Sequence, residues 1–299
     1  MFSNLGVGEP FILNKGRSYN FVMALDTAVL TYDTSEIVDS LVDEMEAERL
    51  LAINPSHKLL RSLSRTDTES VAVNILADSD VVRRTYDDFI SSSHASMFQR
   101  DGDFEVRTTD NFDASPLLVT EDTVITISEV GQNVLASEVT NGSVVDEVYE
   151  FATSAYEDGD EYELVAPPYD VVLDTLGEEV GEELRGDFES ILENFDDISI
   201  ARAGIDVVEV LLLLAARREL LLYEVSKWGQ EIDLASKATF SRAKSRLDDR
   251  GLIRTVKVPV TVGRPRLRLL TAEDLANMSP TDLIREATIR FEGRRQQIR

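Results

Sequence analysis

The sequence predicts an α/β domain followed by a smaller helical domain that closes in a β-hairpin. Three observations carry this reading. Apolar runs between Arg49 and Ser92 alternate between the period of strands and the period of helices. Charge is divided unequally, with 11 Lys and Arg against 43 Asp and Glu in residues 1–200, and 19 against 13 in residues 201–299. Finally, Ser236 to Leu270 reads as a short helix, a glycine stop and two basic strand-like stretches meeting at Gly263-Arg264-Pro265. That last order of parts is the one found in a winged helix-turn-helix.

A chain of 299 residues is long enough for two domains with separate cores. The expected division is residues 1–156 as an acidic α/β domain for sensing or dimerisation, 157–200 as an acidic linker with connecting helices, and 201–299 as the winged-helix domain with a C-terminal helix. The net charge of −26 includes only six lysines. A Lys-poor, carboxylate-rich surface suits a cytoplasm holding molar salt, where charge keeps proteins soluble and screening tempers self-repulsion. A halophilic source is therefore expected. Cysteine is absent, which excludes disulfides, thiolate nucleophiles and Cys-ligated metal. No basic start followed by an apolar run marks a signal peptide. The most apolar stretch, Val207 to Tyr223, is interrupted by Glu209, Arg217, Arg218 and Glu219, too short to span a bilayer. A cytoplasmic protein without membrane contact is the expectation.

After an irregular opening, Thr34 and Ser35 start a helix through about Glu46, with Ile37, Leu41, Val42 and Met45 on one face. Arg49 to Ile53 reads as a buried strand ended by Asn54-Pro55, and Ser56 caps a helix through Arg65. Val71 to Ala77 is a second strand, and Asp78 caps a helix expected to run from Ser79 to about Ser92. Phe104 to Arg107, Leu117 to Thr120, Val124 to Ile127 and Asn133 to Ala136 are shorter strands, with Glu121-Asp122 as a hairpin turn. Val144 to Tyr156 closes the unit as a helix. The segment Glu157 to Asp170 is acidic, carries a Pro pair and lacks helical period, so it reads as the linker. Two acidic helical stretches follow, near Val171 to Leu176 and Glu179 to Phe195, and packing against the DNA-binding domain is one expectation for them.

In the C-terminal part, Asp206 caps a helix to about Arg217, and Leu222 to Trp228 forms a second, short helix ended by Gly229. Ser236 caps a third, with Phe240, Ala243 and Leu247 inward. Its other face offers Lys237, Thr239, Ser241, Arg242, Lys244 and Arg246 without a carboxylate among them. A helix lying in a major groove needs such a face, because phosphates reward cations and guanine accepts a bidentate Arg. Arg264 at the hairpin tip, with Arg266 and Arg268 on the returning strand, extends the basic surface. Double-stranded promoter DNA is the expected partner. Ser279-Pro280 opens a last helix toward Arg299, which either dimerises the protein or packs on its own core. Helix-turn-helix readers commonly bind paired half-sites, so a homodimer is expected.

The chain resembles, over nearly its whole length and most specifically in Leu221 to Leu270, where LLYEVSKWGQEIDLASKATFSRAKSRLDDRGLI is followed by KVPVTVGRPRLRL, the haloarchaeal transcriptional regulators of the TbsP, or trmB suppressor, family. The resemblance implies a cytoplasmic regulator tied to gluconeogenic genes of central carbon metabolism. It also implies, for the body, a phospholipase-D-like three-layer α/β domain of the kind found in TrmB-type sugar-responsive regulators. In those proteins the winged helix comes first, whereas here it comes last, so effector chemistry does not transfer by alignment.

Catalysis is not expected. Phospholipase-D chemistry needs a His-x-Lys arrangement, yet His57 is followed directly by Lys58, and His94 sits in Ser-Ser-His-Ala-Ser. No nucleophile elbow, phosphate loop or zinc-protease motif occurs, and two histidines without cysteine make a transition-metal site unexpected. Binding is a different matter. Asn54, Ser56, His57, Lys58 and Arg61 fall where a parallel strand ends and a helix begins, the usual ligand position in open α/β sheets. Arg107 and Thr108 lie at another strand end. No cofactor is expected beyond a sugar-phosphate effector such as fructose 1,6-bisphosphate. The alternative function is a protein-interaction module in which an acidic body and the winged helix dock a partner.

Overall fold

The computed structural model describes residues 27–30, 38, 47–66, 71–110, 114–130, 133–193, 204–261 and 264–297. Of the helix expected over Thr34 to Glu46, only Val38 is described; it is helical and buried in the core. The rest of that segment lies outside the described residues. The chain forms two compact units, residues 1–165 and 166–299.

The first unit is built on an eight-stranded mixed sheet. Its strands are β1 (Thr27–Leu30), β2 (Arg49–Ile53), β3 (Ala72–Asp78), β4 (Phe104–Thr109), β5 (Leu117–Val119), β6 (Val124–Val130), β7 (Asn133–Val139) and β8 (Asp160–Glu161). They lie in the order β1-β7-β6-β5-β2-β3-β4-β8. β2, β3 and β4 are parallel, and their connections carry the helices α1 (His57–Leu63), α2 (Ser79–Tyr86) and α3 (Phe89–Asp101). The other pairings are antiparallel. Leu50 to Ile53 are buried without a break because β2 is covered on both faces. Leu50, Ala52, Val73, Ile75, Phe104 and Val106 meet α1 to α3 on one side. Leu51, Ile53 and Leu76 meet Val145, Ala152 and Tyr156 of α4 (Gly142–Glu157) on the other. The result is the expected three-layer α/β domain.

One helix was expected from Ser79 to Ser92, and the structure has two. The Asp88 carboxylate accepts from the Ser91 backbone N–H at 3.0 Å and from the Ser91 hydroxyl at 2.7 Å, so it caps a new helix. β1 pairs with β7 in a region that the sequence reading left irregular. The Glu121-Asp122 turn forms as expected, closed by the Thr120 N–H on Thr123 O at 2.8 Å.

A polar network fastens α4 to the sheet. The Tyr156 hydroxyl donates to Glu105 at 2.7 Å and accepts from Asn74 Nδ2 at 3.0 Å, while Asn74 Oδ1 accepts from Arg49 Nε at 2.6 Å. The Arg49 and Arg107 guanidinium carbons lie 5.5 Å and 4.9 Å from the Tyr156 ring centroid. Burial first, and the Glu105 bond second, push the phenol up to about 12, so it stays a donor at every working pH. Tyr156→Phe removes the hydroxyl and leaves the buried Asn74 Nδ2 with only its 3.5 Å bond to Glu105. Urea titration is expected to show a loss of about 1–3 kcal/mol in the first unit.

The second unit contains α5 (Tyr169–Glu179), α6 (Glu182–Glu193), α7 (Val207–Arg217), α8 (Leu222–Glu231), α9 (Lys237–Asp249), the hairpin β9 (Ile253–Val258) and β10 (Arg266–Thr271), and α10 (Pro280–Gln297). This corrects the expected linker over 157–200. β8 pairs with β4 and so belongs to the first sheet. α5 and α6 bury Val172, Leu173, Leu176, Leu184, Phe188, Ile191 and Leu192 and belong to the second unit. Trp228 Nε1 donates to Thr175 Oγ1 at 2.9 Å, and Asp187 accepts from Arg217 at 3.2 Å and from Arg218 at 2.9 Å. This agrees with the expectation that the two acidic helices pack against the DNA-binding domain, although apolar spacing alone does not name the surface that an amphipathic helix covers.

α8 does not stop at Gly229 but continues to Glu231, and Asp233 takes the left-handed conformation with φ of 58°. Gly229 lies inside the helix because the Phe240 ring of α9 rests against it: a Cβ there would collide with the ring. Glycine thus sets the closeness of the helix-turn-helix crossing rather than its end.

Candidate nucleic-acid interface

The Ser236 hydroxyl accepts from the Thr239 N–H at 3.2 Å and so opens α9, while Phe240, Ala243 and Leu247 are buried beneath it. Along its first turns the residues left exposed are Lys237, Ala238, Ser241, Arg242 and Ser245, and Arg246, Asp248 and Asp249 are exposed at its C-terminal end. Half-buried Thr239 supports them: its hydroxyl lies 3.0 Å from Ser236 Oγ and accepts from Arg242 Nη2 at 3.2 Å. The face offers a cation at its start, a guanidinium at its middle, two hydroxyls and one methyl. These groups suit phosphates, purine edges and a thymine methyl respectively. Ala238 and Ser245 escaped the sequence reading, which searched for charge; the helical period through Lys237 and Arg242 would have reached them.

Two residues assigned to that face are turned away from it. Lys244 reaches along the helix to Asp248 at 3.3 Å, and its side chain is largely covered. Arg246 is directed to the start of α7, with Nε 2.9 Å from Glu209, Nη1 3.5 Å from Asp206 and Nη2 donating to Gly204 O at 3.0 Å. Its guanidinium carbon lies 5.5 Å from the Phe291 ring centroid of α10. Helical spacing alone cannot foresee this, because the carboxylate that captures Arg246 is far away in sequence.

The hairpin pairs Arg266 with Val258, Arg268 with Val256 and Leu270 with Arg254. Alternation gives one side Leu269 and Thr271, which are buried, and the other Arg254, Val256, Arg266 and Arg268. β10 also bridges Leu221, and the Leu269 N–H bonds to Leu220 O at 2.9 Å, so a third short segment flanks the hairpin. Arg266 stacks over the Tyr223 ring at 4.1 Å, whereas Arg254, Arg264 and Arg268 are exposed. Arg254 was not singled out from sequence. Val262 and Gly263 at the expected tip lie outside the described residues.

Glu209 is 0% exposed, yet it forms a capping box with Asp206 at the start of α7. Burial first, then the Asp206 charge, raise its carboxyl to about 7, against the pull of Arg246 and Arg250. A folded value above the unfolded one means stability that is full below about pH 4.5 and lost as pH rises through about 7. Urea titrations of the second unit at pH 5 and pH 8 are expected to show the wild type losing on the order of 3 kcal/mol relative to Glu209→Gln.

In the first unit, the structure divides the expected ligand residues. Asn54 holds a φ of 48°, and its side chain bonds to Ala114 O. Ser56 donates to Glu129, Lys58 lies 4.0 Å from the same carboxylate, and Arg61 lies 3.7 Å from Asp88. Thr85 gives its own proton to Val81 O, so it accepts from His57 Nδ1 at 2.9 Å. Burial first, then Arg61 and Arg84, hold His57 below the usual histidine range. His94 is pushed down to about 4, chiefly by burial. Arg107 is not part of this group. It lies on the α4 side of the sheet, over Tyr156, 3.6 Å from Glu161 and donating to Glu157 O at 2.9 Å. Thr108 Oγ1 lies 3.5 Å from Asp160 O. Strand alternation separates these residues, which the sequence reading grouped by strand end alone. No cluster of metal-ligating side chains is found among the described residues, and no helix among them is long and apolar enough to cross a membrane.

A winged helix whose third helix exposes Lys237, Ser241 and Arg242 with no carboxylate before Asp248, following an α/β domain in the chain, defines a helix-turn-helix protein. Comparison with known proteins agrees. Residues 26–167 match the N-terminal domain of TbsP-like transcriptional regulators, and residues 168–288 match their C-terminal helix-turn-helix domain. The chain belongs to the TbsP-like transcriptional regulator family. Among solved structures, it is similar to TrmBL2, an archaeal chromatin protein whose structure is described as showing a novel mode of DNA binding. That match has 16% identity, a TM-score of 0.36, and covers 46% of this chain and 53% of TrmBL2, about half its length. Nuc from Salmonella typhimurium, a phospholipase D family member, aligns at 17% identity and a TM-score of 0.32, covering 43% of this chain and 90% of Nuc. No curated protein matches.

Proposed function

We propose that the protein is a sequence-specific regulator that reads promoter DNA with α9. The observation that carries this reading is the exposed face of Lys237, Ala238, Ser241, Arg242 and Ser245, which meets no carboxylate before Asp248 in a chain of net charge −26. Arg242 and Ser241 read base edges, Lys237 holds a phosphate, and Arg254, Arg264 and Arg268 of the hairpin grip the flanking backbone. The protein acts as a homodimer in the cytoplasm of a halophilic archaeon, on genes of central carbon and gluconeogenic metabolism. The family supports the regulatory role, and the scarcity of lysine supports the salt-rich setting.

Fluorescence anisotropy with labelled promoter DNA tests the assignment. Arg242→Ala is expected to cost about 1–3 kcal/mol and to relax preference at one base position. Arg264→Ala is expected to weaken all sequences alike and reduce the salt slope by about one. Unchanged affinity in both variants would favour the protein-docking alternative.

We further propose that the strand-end group of His57, Thr85, Arg61 and Lys58 senses a sugar phosphate such as fructose 1,6-bisphosphate. An arriving anion would compete with Glu129 and Asp88 for the two cations, which couples binding to local rearrangement. Calorimetry is expected to give heat with the bisphosphate and a shift in DNA affinity. Absence of both would remove the effector from the reading.

A further inference from the structure

We infer that Arg246 is a positioning residue, which orients the reading helix by binding the buried Glu209 and makes no contact with DNA. This rests on the DNA-reading role of α9 proposed above. Three elements converge on the one guanidinium. Nε lies 2.9 Å from Glu209 Oε1 as an ion pair without hydrogen-bond geometry, Nη1 lies 3.5 Å from Asp206, and Nη2 donates to Gly204 O at 3.0 Å, all at the entrance to α7. Its plane approaches Phe291 of α10, and Arg250, one turn further along α9, covers the same ring at 3.9 Å. At the end of α9, Gly251 O accepts from Arg290 Nη1 at 2.7 Å, and Arg290 is itself held by Glu286 at 2.9 Å and Asp274 at 2.5 Å. The C-terminal half of α9 is thereby tied to α7 and α10, while its N-terminal half presents Lys237, Ser241 and Arg242 outward.

The physical argument is one of leverage and cost. A helix seated in a groove must hold its side chains to a fraction of an ångström, so a rotation set at one end is read at the other. Glu209 is fully buried, and above about pH 7, where it is ionised, removing its cation would leave a buried charge without a partner. Arg246 therefore stays with Glu209 when DNA is present, although 45% of its side chain is exposed. Lysine cannot take its place, because a single ammonium cannot serve a carboxylate, a carbonyl and an aromatic face at once.

The groups facing Glu209 are Asp206 at the head of α7 and Arg246 and Arg250 on α9; from α10 the shared contact is the uncharged Phe291 ring. Both histidines of the chain, His57 and His94, lie in the first unit and are held below the usual range. A pH profile of DNA affinity between 6 and 8 therefore reports chiefly on Glu209. As pH rises through about 7, the carboxylate ionises and grips Arg246 more firmly, so affinity rises while the stability of the unit falls. A merely structural pair would move affinity and stability in the same direction.

The test uses the full chain and anisotropy with promoter DNA. Arg246→Lys and Glu209→Gln are each expected to weaken binding about tenfold or more, and the double variant to be no weaker than either. The salt slope is expected to stay at the wild-type value in both, and the pH profile of Glu209→Gln to be flat. A fall of about one in the salt slope for Arg246→Ala, with affinity retained in Arg246→Lys, would make Arg246 a phosphate contact and overturn the inference. Wild-type protein that binds no promoter DNA at any salt would instead remove the reading on which it rests. Circular dichroism melting of each variant confirms that the molecules compared are folded.

Discussion

The second unit depends on one constraint: α7 is enclosed. Val208 to Ala216 are buried without interruption, so every neighbour in the unit must be shaped to cover it. α6, α9, α10 and β10 pack around it, and the order of parts along the chain follows from that enclosure. An enclosed helix tolerates a carboxylate only where its charge is met. Glu209 sits in the first turn, where free N–H groups and the positive end of the helix dipole lower the cost. Arg246 and Arg250 supply part of the remaining compensation, and burial still holds the carboxyl up at about 7. The same pairing removes a cation from the DNA-facing side and fixes the rotation of the helix that carries that side.

The first unit solves a related problem in another way. Its central strands are buried on both faces, yet half-buried Arg49 and buried Asn74 lie on the α4 side, beside the exposed Glu105. They are tolerated because Tyr156 ties them into one connected network, with donors and acceptors matched. Arg107 joins this arrangement by covering the ring and capping the carbonyls at the end of α4. Cations are scarce in this acidic body: Lys58, Arg61, Arg83, Arg100 and Arg107 are drawn into ion pairs, Arg49 lies over an aromatic ring, and Arg84 donates to the Asp80 carbonyl. In the second unit, Lys237, Arg242, Arg254, Arg264 and Arg268 remain exposed instead. The contrast between committed and presented cations separates support from recognition more sharply than the count of charges does.

Much of this was legible in the residues. The strand–helix alternation, the Asp206 and Ser236 caps, the inward set Phe240, Ala243 and Leu247, and the basic hairpin all follow from local rules acting within a few residues. The errors share a cause. Asp88 restarts a helix through a bond whose strength shows only once the chain has turned. Gly229 looked like a helix end because glycine often is one, whereas Phe240 decides that it is a crossing point. Arg246 looked like a reader because its helical face carried no acid.

The sequence by itself determined the classes of element, their order, the polarity of the two halves and the helix that faces outward. These depend on period, capping chemistry and charge, which neighbouring residues settle among themselves. Only the tertiary structure decided where α5 and α6 belong, which side of the sheet Arg107 occupies and which cations of α9 are free to meet DNA. Those outcomes hinge on desolvation and on partners tens of residues away. The energy of an ion pair such as Arg246 with Glu209 is set by the burial around it, and no local pattern records that burial.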